Sequence, residues 1–335
     1  MSVQVSVCLL AYNHENYVAQ ALDSILSQRT TFDFEVIARD DASTDGTAEV
    51  LLDYRRRYPD TVRLLLEKEN RFHDPEAKPV FGRVFAPHAR GRYLATCEGD
   101  DWWTCPTKLQ RQFDYMESHP ESNMCCHAVE IVRGDGGRAT KLLTCGTVEH
   151  DIECDEVMEN WARTTSDGIW SLHPSSCFSR RDADIAYASK WRIDVSAGDF
   201  VRMCYFSHAA PIHFMPDVMS AYRYLPAQSW TTQAEQDVAV LCQHYGEFIE
   251  TMSVIDELTD FRHHDAAMRG CKQRALLLAG MTDGKRFFET EPGRAVAPYL
   301  GFGDRLTLAA LRTLNTLGLR PARNTATGKV HIVRI

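Results

Sequence analysis

The sequence predicts an α/β fold with a mostly parallel sheet flanked by helices, followed by a helical C-terminal region. Three observations predict it. Short continuous apolar runs alternate with helical patterns over the first 133 residues. Polar clusters stand directly after three of those runs. From Gln233 onward the apolar spacing is helical.

The elements follow in order. Val3–Leu10 is a continuous apolar run, as a strand buried on both faces requires. Tyr17, Val18, Ala21, Leu22, Ile25 and Leu26 then recur at helical spacing. Phe34–Ala38 reads as a second strand. Ser43 or Thr44 can cap a helix carrying Val50, Leu51 and Tyr54, which Pro59 ends. Val62–Leu66 and Arg92–Cys97 read as the third and fourth strands. Lys108–Ser118 is a helix stopped by His119-Pro120, and Met124–Val132 is a fifth strand. The stretch from Gly134 to Gly168 is polar and reads as an irregular insertion. Structure resumes at Ser175–Ser179, in a helix around Asp199–Ser207, and in strands at Ile212–Met215 and Val218–Tyr224.

Composition excludes several classes. The 335 residues are 44% hydrophobic and 25% charged, so a disordered, collagen-like or coiled-coil chain is ruled out. The longest apolar run, Val5–Tyr12, is far short of the roughly 20 residues a membrane helix needs. The N-terminus lacks the basic start and small-residue cleavage site of a signal peptide. A formal charge of −9 disfavours a chain-wide nucleic-acid surface. Eleven cysteines form no CxxC and no zinc spacing, which fits free thiols in a reducing cytosol. From Arg305 to the end there are six Lys or Arg and no Asp or Glu, with leucines near helical spacing. That segment reads either as a helix packed on the protein or as a basic amphipathic element touching anionic membrane or a partner.

In an open parallel sheet, ligands bind outside the carboxyl ends of the strands. Strand one runs into Ala11-Tyr12-Asn13-His14, strand two into Asp40-Asp41-Ala42-Ser43, strand four into Glu98-Gly99-Asp100-Asp101-Trp102. A helix cap or solvated turn explains any one of these clusters. Three of them on one edge point to a site. No glycine follows strand one, so neither a dinucleotide fingerprint nor a P-loop is present. Glu98, Asp100 and Asp101 repel one another unless a cation or hydrogen-bond donors stabilise them. Their oxygens suit Mg2+ or Mn2+ bound together with substrate phosphates.

LLAYNHENYVAQALDSILSQ, DFEVIARDDASTDGTAEVL and GRYLATCEGDDWWTCPTKLQRQ, in that order, resemble the N-terminal half of bacterial-type family 2 inverting glycosyltransferases with the GT-A fold. A weaker likeness, SAGDFVRMCYFS and PDVMSAYRY, extends to about residue 230. The resemblance implies a catalytic domain over residues 1–230, with a nucleotide-binding half (1–133) and an acceptor-side half (134–230), then a helical region (231–335). It implies that Tyr12 stacks on the nucleotide base, with Leu10, Ala11 and Asn13 alongside. Asp41 would accept a hydrogen bond from the base, with Asp40 supporting the loop. Asp101 would ligate Mn2+ or Mg2+, with Asp100 as a second ligand or facing the ribose, and Glu98 touching either. Asp199 would be the general base, and Arg83, Arg223 and Trp230 would line the diphosphate and acceptor side. The chain departs from the family at Leu10-Ala11, where Pro-Thr is frequent, and at Gly198-Asp199, where Glu-Asp is frequent.

The resemblance implies a donor that is a nucleoside-diphosphate sugar, UDP-linked because Asp41 suits an imide donor. The acceptor could be a glycan, a lipid-linked molecule, a peptide or a small molecule. A cytoplasmic protein is expected, with peripheral contact at the inner face of the membrane through the basic C-terminal segment. A non-catalytic nucleotide-sugar binding homologue and another nucleotide-dependent transferase, such as a nucleotidyltransferase, are the alternatives. Release of free nucleoside diphosphate separates the first reading from the last.

Overall fold

The computed structural model describes residues 2–72, 74–134, 141–161, 163–164, 166, 168–190, 198–224, 238–281, 287–317, 319–323 and 330–334. The chain divides into two units. The first comprises Met1–Ile152, Thr165–Asp194 and Ala209–Arg223; the second comprises Glu153–Thr164, Val195–His208 and Tyr224–Ile335.

The first unit begins with β1 (Val3–Ala11), α1 (Val18–Leu26), β2 (Asp33–Asp40), α2 (Thr47–Arg57), β3 (Val62–Leu66) and β4 (Tyr93–Glu98). The four strands lie side by side in the order β3-β2-β1-β4, all parallel. β1 is apolar apart from Gln4 and Ser6 because both its faces are covered. Val5, Val7 and Leu9 pack with Val18, Ala21, Leu22 and Ile25 of α1. Cys8 turns to the other face, against Ile37, Phe81, Phe85 and Leu94. Phe81 and Phe85 belong to a turn of π-helix, Phe81–Phe85. Its Gly82 is forced by contact: a Cβ there would stand 2.3 Å from the Asp184 carbonyl oxygen.

Beyond β4 the pairing is mostly antiparallel, with one parallel pair of short strands. The following elements are β5 (Trp102–Trp103), α3 (Lys108–Ser118), β6 (Met124–Arg133), β7 (Lys141–Leu143) and β8 (His150–Ile152). Two second-unit elements come next in the chain, α4 (Cys154–Asn160) and β9 (Arg163–Thr164). The first unit then continues with β10 (Gly168–Trp170), β11 (Phe178–Arg180) and α5 (Arg181–Lys190). β11 inserts between β4 and β6 and is antiparallel to both, pairing Phe178 with Ala95 and with Cys125. The parallel block is therefore the part that the strand–helix alternation encodes. β11, far along the chain from both neighbours, carries no such alternation with them.

After α6 (Gly198–Ala209), discussed below, comes β12 (Ile212–Tyr224). Where the sequence predicts two strands broken at Pro216, the structure has one strand of 13 residues. Pro216 lies between the stretch that pairs with β8 and the stretch that pairs with β5. The expectation of irregular chain from Gly134 to Gly168 is also corrected, since β7, β8, α4, β9 and β10 begin there. Strands of two or three residues are held by backbone pairing and leave no periodicity to read.

The second unit contains α4, β9, α6, α7 (Val238–Leu258), α8 (His264–Met281), α9 (Glu291–Val296) and α10 (Phe302–Thr316). It ends in a hairpin, β13 (Leu319–Arg323) and β14 (Val330–Arg334), where the sequence predicts helix. α8 is its centre. Gly270 on α8 allows close packing with α4, because a Cβ there would meet the Met158 carbonyl oxygen at 2.2 Å. Leu276 and Ala279 of α8 pack with Leu308 of α10.

Candidate active site

Register brings the three polar clusters together. Ala11 of β1 pairs with Asp40 of β2, and Leu10 pairs with Glu98 of β4, so the clusters leave the sheet at one edge. The first two loops are bonded to each other. Asn13, with φ of 55°, accepts at its side-chain oxygen from the Thr44 backbone N–H at 2.8 Å. Its own N–H donates to Ser43 Oγ at 2.9 Å, and the His14 N–H donates to Thr47 Oγ1 at 2.8 Å. Ser43 and Thr44 are thus committed to the loop pair and do not cap α2. Asp45 serves its first turn instead, accepting from the Thr47 N–H at 3.0 Å.

Asp40 is buried and holds this loop, accepting from the Ser43 hydroxyl and from the Ser43 N–H. Asp41 accepts at Oδ1 from Arg39 Nη2 at 2.7 Å and from the Arg71 N–H at 3.0 Å. Arg39 is itself buried and reaches Glu67 Oε1 at 3.0 Å through Nε. The guanidinium therefore fixes Asp41 from beneath. Sequence reasoning missed Arg39, although a charge directly after the run Phe34–Ala38 and before the acids of the loop was a signal. Tyr12 stands 44% exposed at the mouth of this loop pair, an aromatic face left open to solvent.

The third cluster is built around Asp101, which is fully enclosed. Its Oδ1 accepts from the Arg223 N–H at 3.0 Å and its Oδ2 from Ser175 Oγ at 2.5 Å. Burial pushes its carboxyl well above the ordinary carboxylate range, and the charge of Asp100 adds to this; the Ser175 and Arg223 bonds oppose it. Arg223 Nε also donates to the Asp100 carbonyl at 3.0 Å, and its guanidinium lies over the rings of Tyr17 and Trp102, 4.7 and 4.6 Å from their centroids. The Asp100 carboxylate turns toward His14 Nε2, 3.8 Å away. Gly99 lets the turn pack closely, since a Cβ would stand 2.8 Å from His14 Nδ1 and 3.0 Å from the Leu10 carbonyl oxygen.

His173 completes the cluster. Glu98, Asp101 and His173 bring one donor atom each to within 4.8 Å of one another; among the described residues no other acidic, histidine or cysteine group of three does so. Burial holds the His173 imidazole neutral by lowering its pKa to about 4; its Nδ1 lone pair, which accepts from the Ser175 N–H at 3.3 Å, is the kind of donor a metal can take. Two carboxylates and an imidazole are a donor set that can hold a divalent metal ion. A buried carboxylate short of positive charge fits the same group. Sequence reasoning missed His173 and Ser175, which lie far along the chain from the acids they meet. Beneath Trp103, burial lowers Lys108 to about 8; its ammonium donates to Gln112 Oε1 at 2.7 Å.

Of the remaining expected site residues, Arg83 lies in the first unit, Asp199 in the second, and Trp230 falls outside the described residues. Arg83 spends its guanidinium on the Pro75 carbonyl, at 3.0 Å, and on Glu76, at 4.0 Å. Asp199 stands in the first turn of α6, where it accepts from the Phe200 N–H at 2.8 Å. The residue's surface is open, yet surrounding protein desolvates the carboxyl and raises its pKa against that hydrogen bond.

The parallel block with its acid-rich carboxyl edge defines a GT-A-type α/β architecture. Residues 6–143 match the family described as "Glycosyl transferase family 2", and this region is a domain of that family. An uncharacterized protein of Mycobacterium tuberculosis is 36% identical over 171 residues, which are 51% of this chain and 48% of that one. The putative glycosyltransferase EpsE of Bacillus subtilis is 35% identical over 140 residues, 42% of this chain and 48% of that one. The chain spans about half the length of these relatives. Among solved structures, S. aureus TarS 1-349 in complex with UDP has the same fold, with a TM-score of 0.55 at 17% identity over 99% of this chain and 97% of that one. The mannosyltransferase PcManGT from Pyrobaculum calidifontis, in complex with GDP-Man and Mn2+, gives 0.50 at 17% identity over 94% and 88%.

Proposed function

We propose that the chain is a metal-dependent inverting glycosyltransferase that moves a sugar from a nucleoside diphosphate, UDP by preference, to an acceptor hydroxyl. One observation carries this reading: Asp101, Glu98 and His173 form a three-donor cluster on the same sheet edge as Tyr12 and Asp41. In this reading Tyr12 stacks on the base and Asp41, pinned by Arg39, accepts from its imide. Leu10, Ala11 and Asn13 flank the base, and Asp40 holds their loop. Asp101, Glu98 and His173 would hold Mn2+ or Mg2+, with Asp100 toward the ribose or the water shell of the metal. Such an ion, when bound, offsets the charge that develops on the departing diphosphate. Arg223 ties the acidic turn to β12 and Arg83 and Trp230 serve the diphosphate and acceptor side. Asp199 removes the acceptor proton as the oxygen attacks the anomeric carbon. A single displacement needs no covalent enzyme intermediate.

The partners proposed are a nucleotide-sugar donor, a glycan, lipid-linked, peptide or small-molecule acceptor, and anionic membrane contacted through the basic C-terminal segment. The protein is proposed to be cytoplasmic and peripheral to the inner face of the membrane. No helix among the described residues is long and apolar enough to cross one. The test is a thermal-shift screen of UDP, GDP and CDP sugars with and without Mn2+. A UDP sugar with Mn2+ is expected to raise the melting temperature most, and Tyr12→Ala should lower that affinity by the roughly 1–3 kcal/mol of an aromatic–base stack. Equal binding by the parent and Tyr12→Ala would displace the pocket.

A further inference from the structure

Helix α10 is apolar on two sides. Leu308 and Leu311 are buried on the inner side, and Leu308 packs on Leu276 and Ala279 of α8. On the outer side Phe302 is 80% exposed and Leu306 57%; Ala309, Ala310 and Thr313 continue the stripe at helical spacing, and Leu317, just past the end, is 65% exposed. A large aromatic and two leucines held out in water need a partner of low polarity. The charges beside the stripe say which. Arg305 and Arg312 flank it one face over, at three- and four-residue offsets from the apolar positions. The only carboxylate of the helix, Asp304, is turned inward, 3.2 Å from Lys272 Nζ. The sequence from Arg305 onward holds six Lys or Arg and no Asp or Glu, in a chain whose formal charge is −9. The face is therefore apolar with a cationic border and offers no carboxylate to a second copy of itself.

We infer that the outer face of α10 docks on an anionic lipid bilayer. Phe302, Leu306 and Leu317 enter the headgroup–acyl boundary while Arg305 and Arg312 reach lipid phosphates. The inference gives residues to the membrane contact of the proposed function and rests on that part of it. It stands or falls separately from sugar transfer.

The test is co-sedimentation of the full chain with vesicles of phosphatidylcholine alone and of phosphatidylcholine mixed with phosphatidylglycerol. Binding to the mixed vesicles only, weakened by added salt, is the expected result. Phe302→Ser with Leu306→Ser changes exposed side chains, so the fold should persist, checked by an unchanged melting temperature. Membrane partition should fall by at least about tenfold in this variant, and Arg305→Gln with Arg312→Gln should lose about as much on mixed vesicles alone. Binding of the parent to neither vesicle overturns the inference, as does binding that both variants retain. A parent that sediments as a dimer, becomes monomeric in Phe302→Ser with Leu306→Ser, and binds no vesicle assigns the face to self-association instead. Donor hydrolysis, measured in the same preparations, reports on the transfer chemistry independently.

Discussion

At the scale of single residues, Asp101 and His173 pay opposite electrostatic penalties. Burial raises the Asp101 carboxyl, so in the metal-free protein its contribution to stability is present at low pH and is lost as pH rises through the raised value. Burial lowers His173 to about 4, so the unfolded chain takes up that proton first, and stability falls as pH drops from about 6.5 toward 4. Replacing His173 with Gln should move the onset of acid unfolding to lower pH, read by circular dichroism across a pH series. Asp101→Asn removes a buried charge and should leave the metal-free melting temperature no lower than the parent's. The same variant should lose the stabilisation by Mn2+ and about 10³-fold in turnover, the several kcal/mol a metal supplies. A residue placed for stability alone would show the reverse pattern. Asp199→Asn tests the base: it should fold, bind donor and lose about 10²–10⁴-fold in transfer. An Asp199 that serves only the first turn of α6 predicts lower thermal stability with turnover kept.

At the scale of elements, the π-helical turn Phe81–Phe85 and α5 meet through Gly82, whose missing side chain lets the Asp184 carbonyl approach. Backbone on both sides leaves no flexible atom to yield. Gly82→Ala should therefore cost roughly 1–3 kcal/mol or more, measured by denaturant unfolding, without touching the acidic edge. What the sequence revealed of these elements follows from their length and pattern. β1, β2 and β4 were legible because long apolar runs have one physical explanation, burial on both faces, and their polar ends followed at once. β7 to β10 were not, because two or three paired residues carry no periodicity. The acids at 98, 100 and 101 were visible as a cluster. Their partners His173 and Ser175 were not, because only the antiparallel insertion of β11 brings that stretch beside β4. Arg39 was visible as a charge in a buried strand, but its pairing with both Asp41 and Glu67 needed the register of β2 with β3.

At the scale of the whole molecule, the account joins a family 2 domain in the first unit to a helical second unit that carries Asp199 and the apolar, arginine-bordered face of α10. Its central claim is transfer from a nucleotide sugar at the Asp101 edge. Hydrolysis of a UDP sugar tests it most directly, because water can replace an unidentified acceptor. The account predicts free UDP released in the presence of Mn2+, stopped by excess EDTA, and lost in an Asp101→Asn variant that still unfolds cooperatively. Full turnover in excess EDTA, or consumption of pyrophosphate with formation of UTP in place of UDP release, would contradict it.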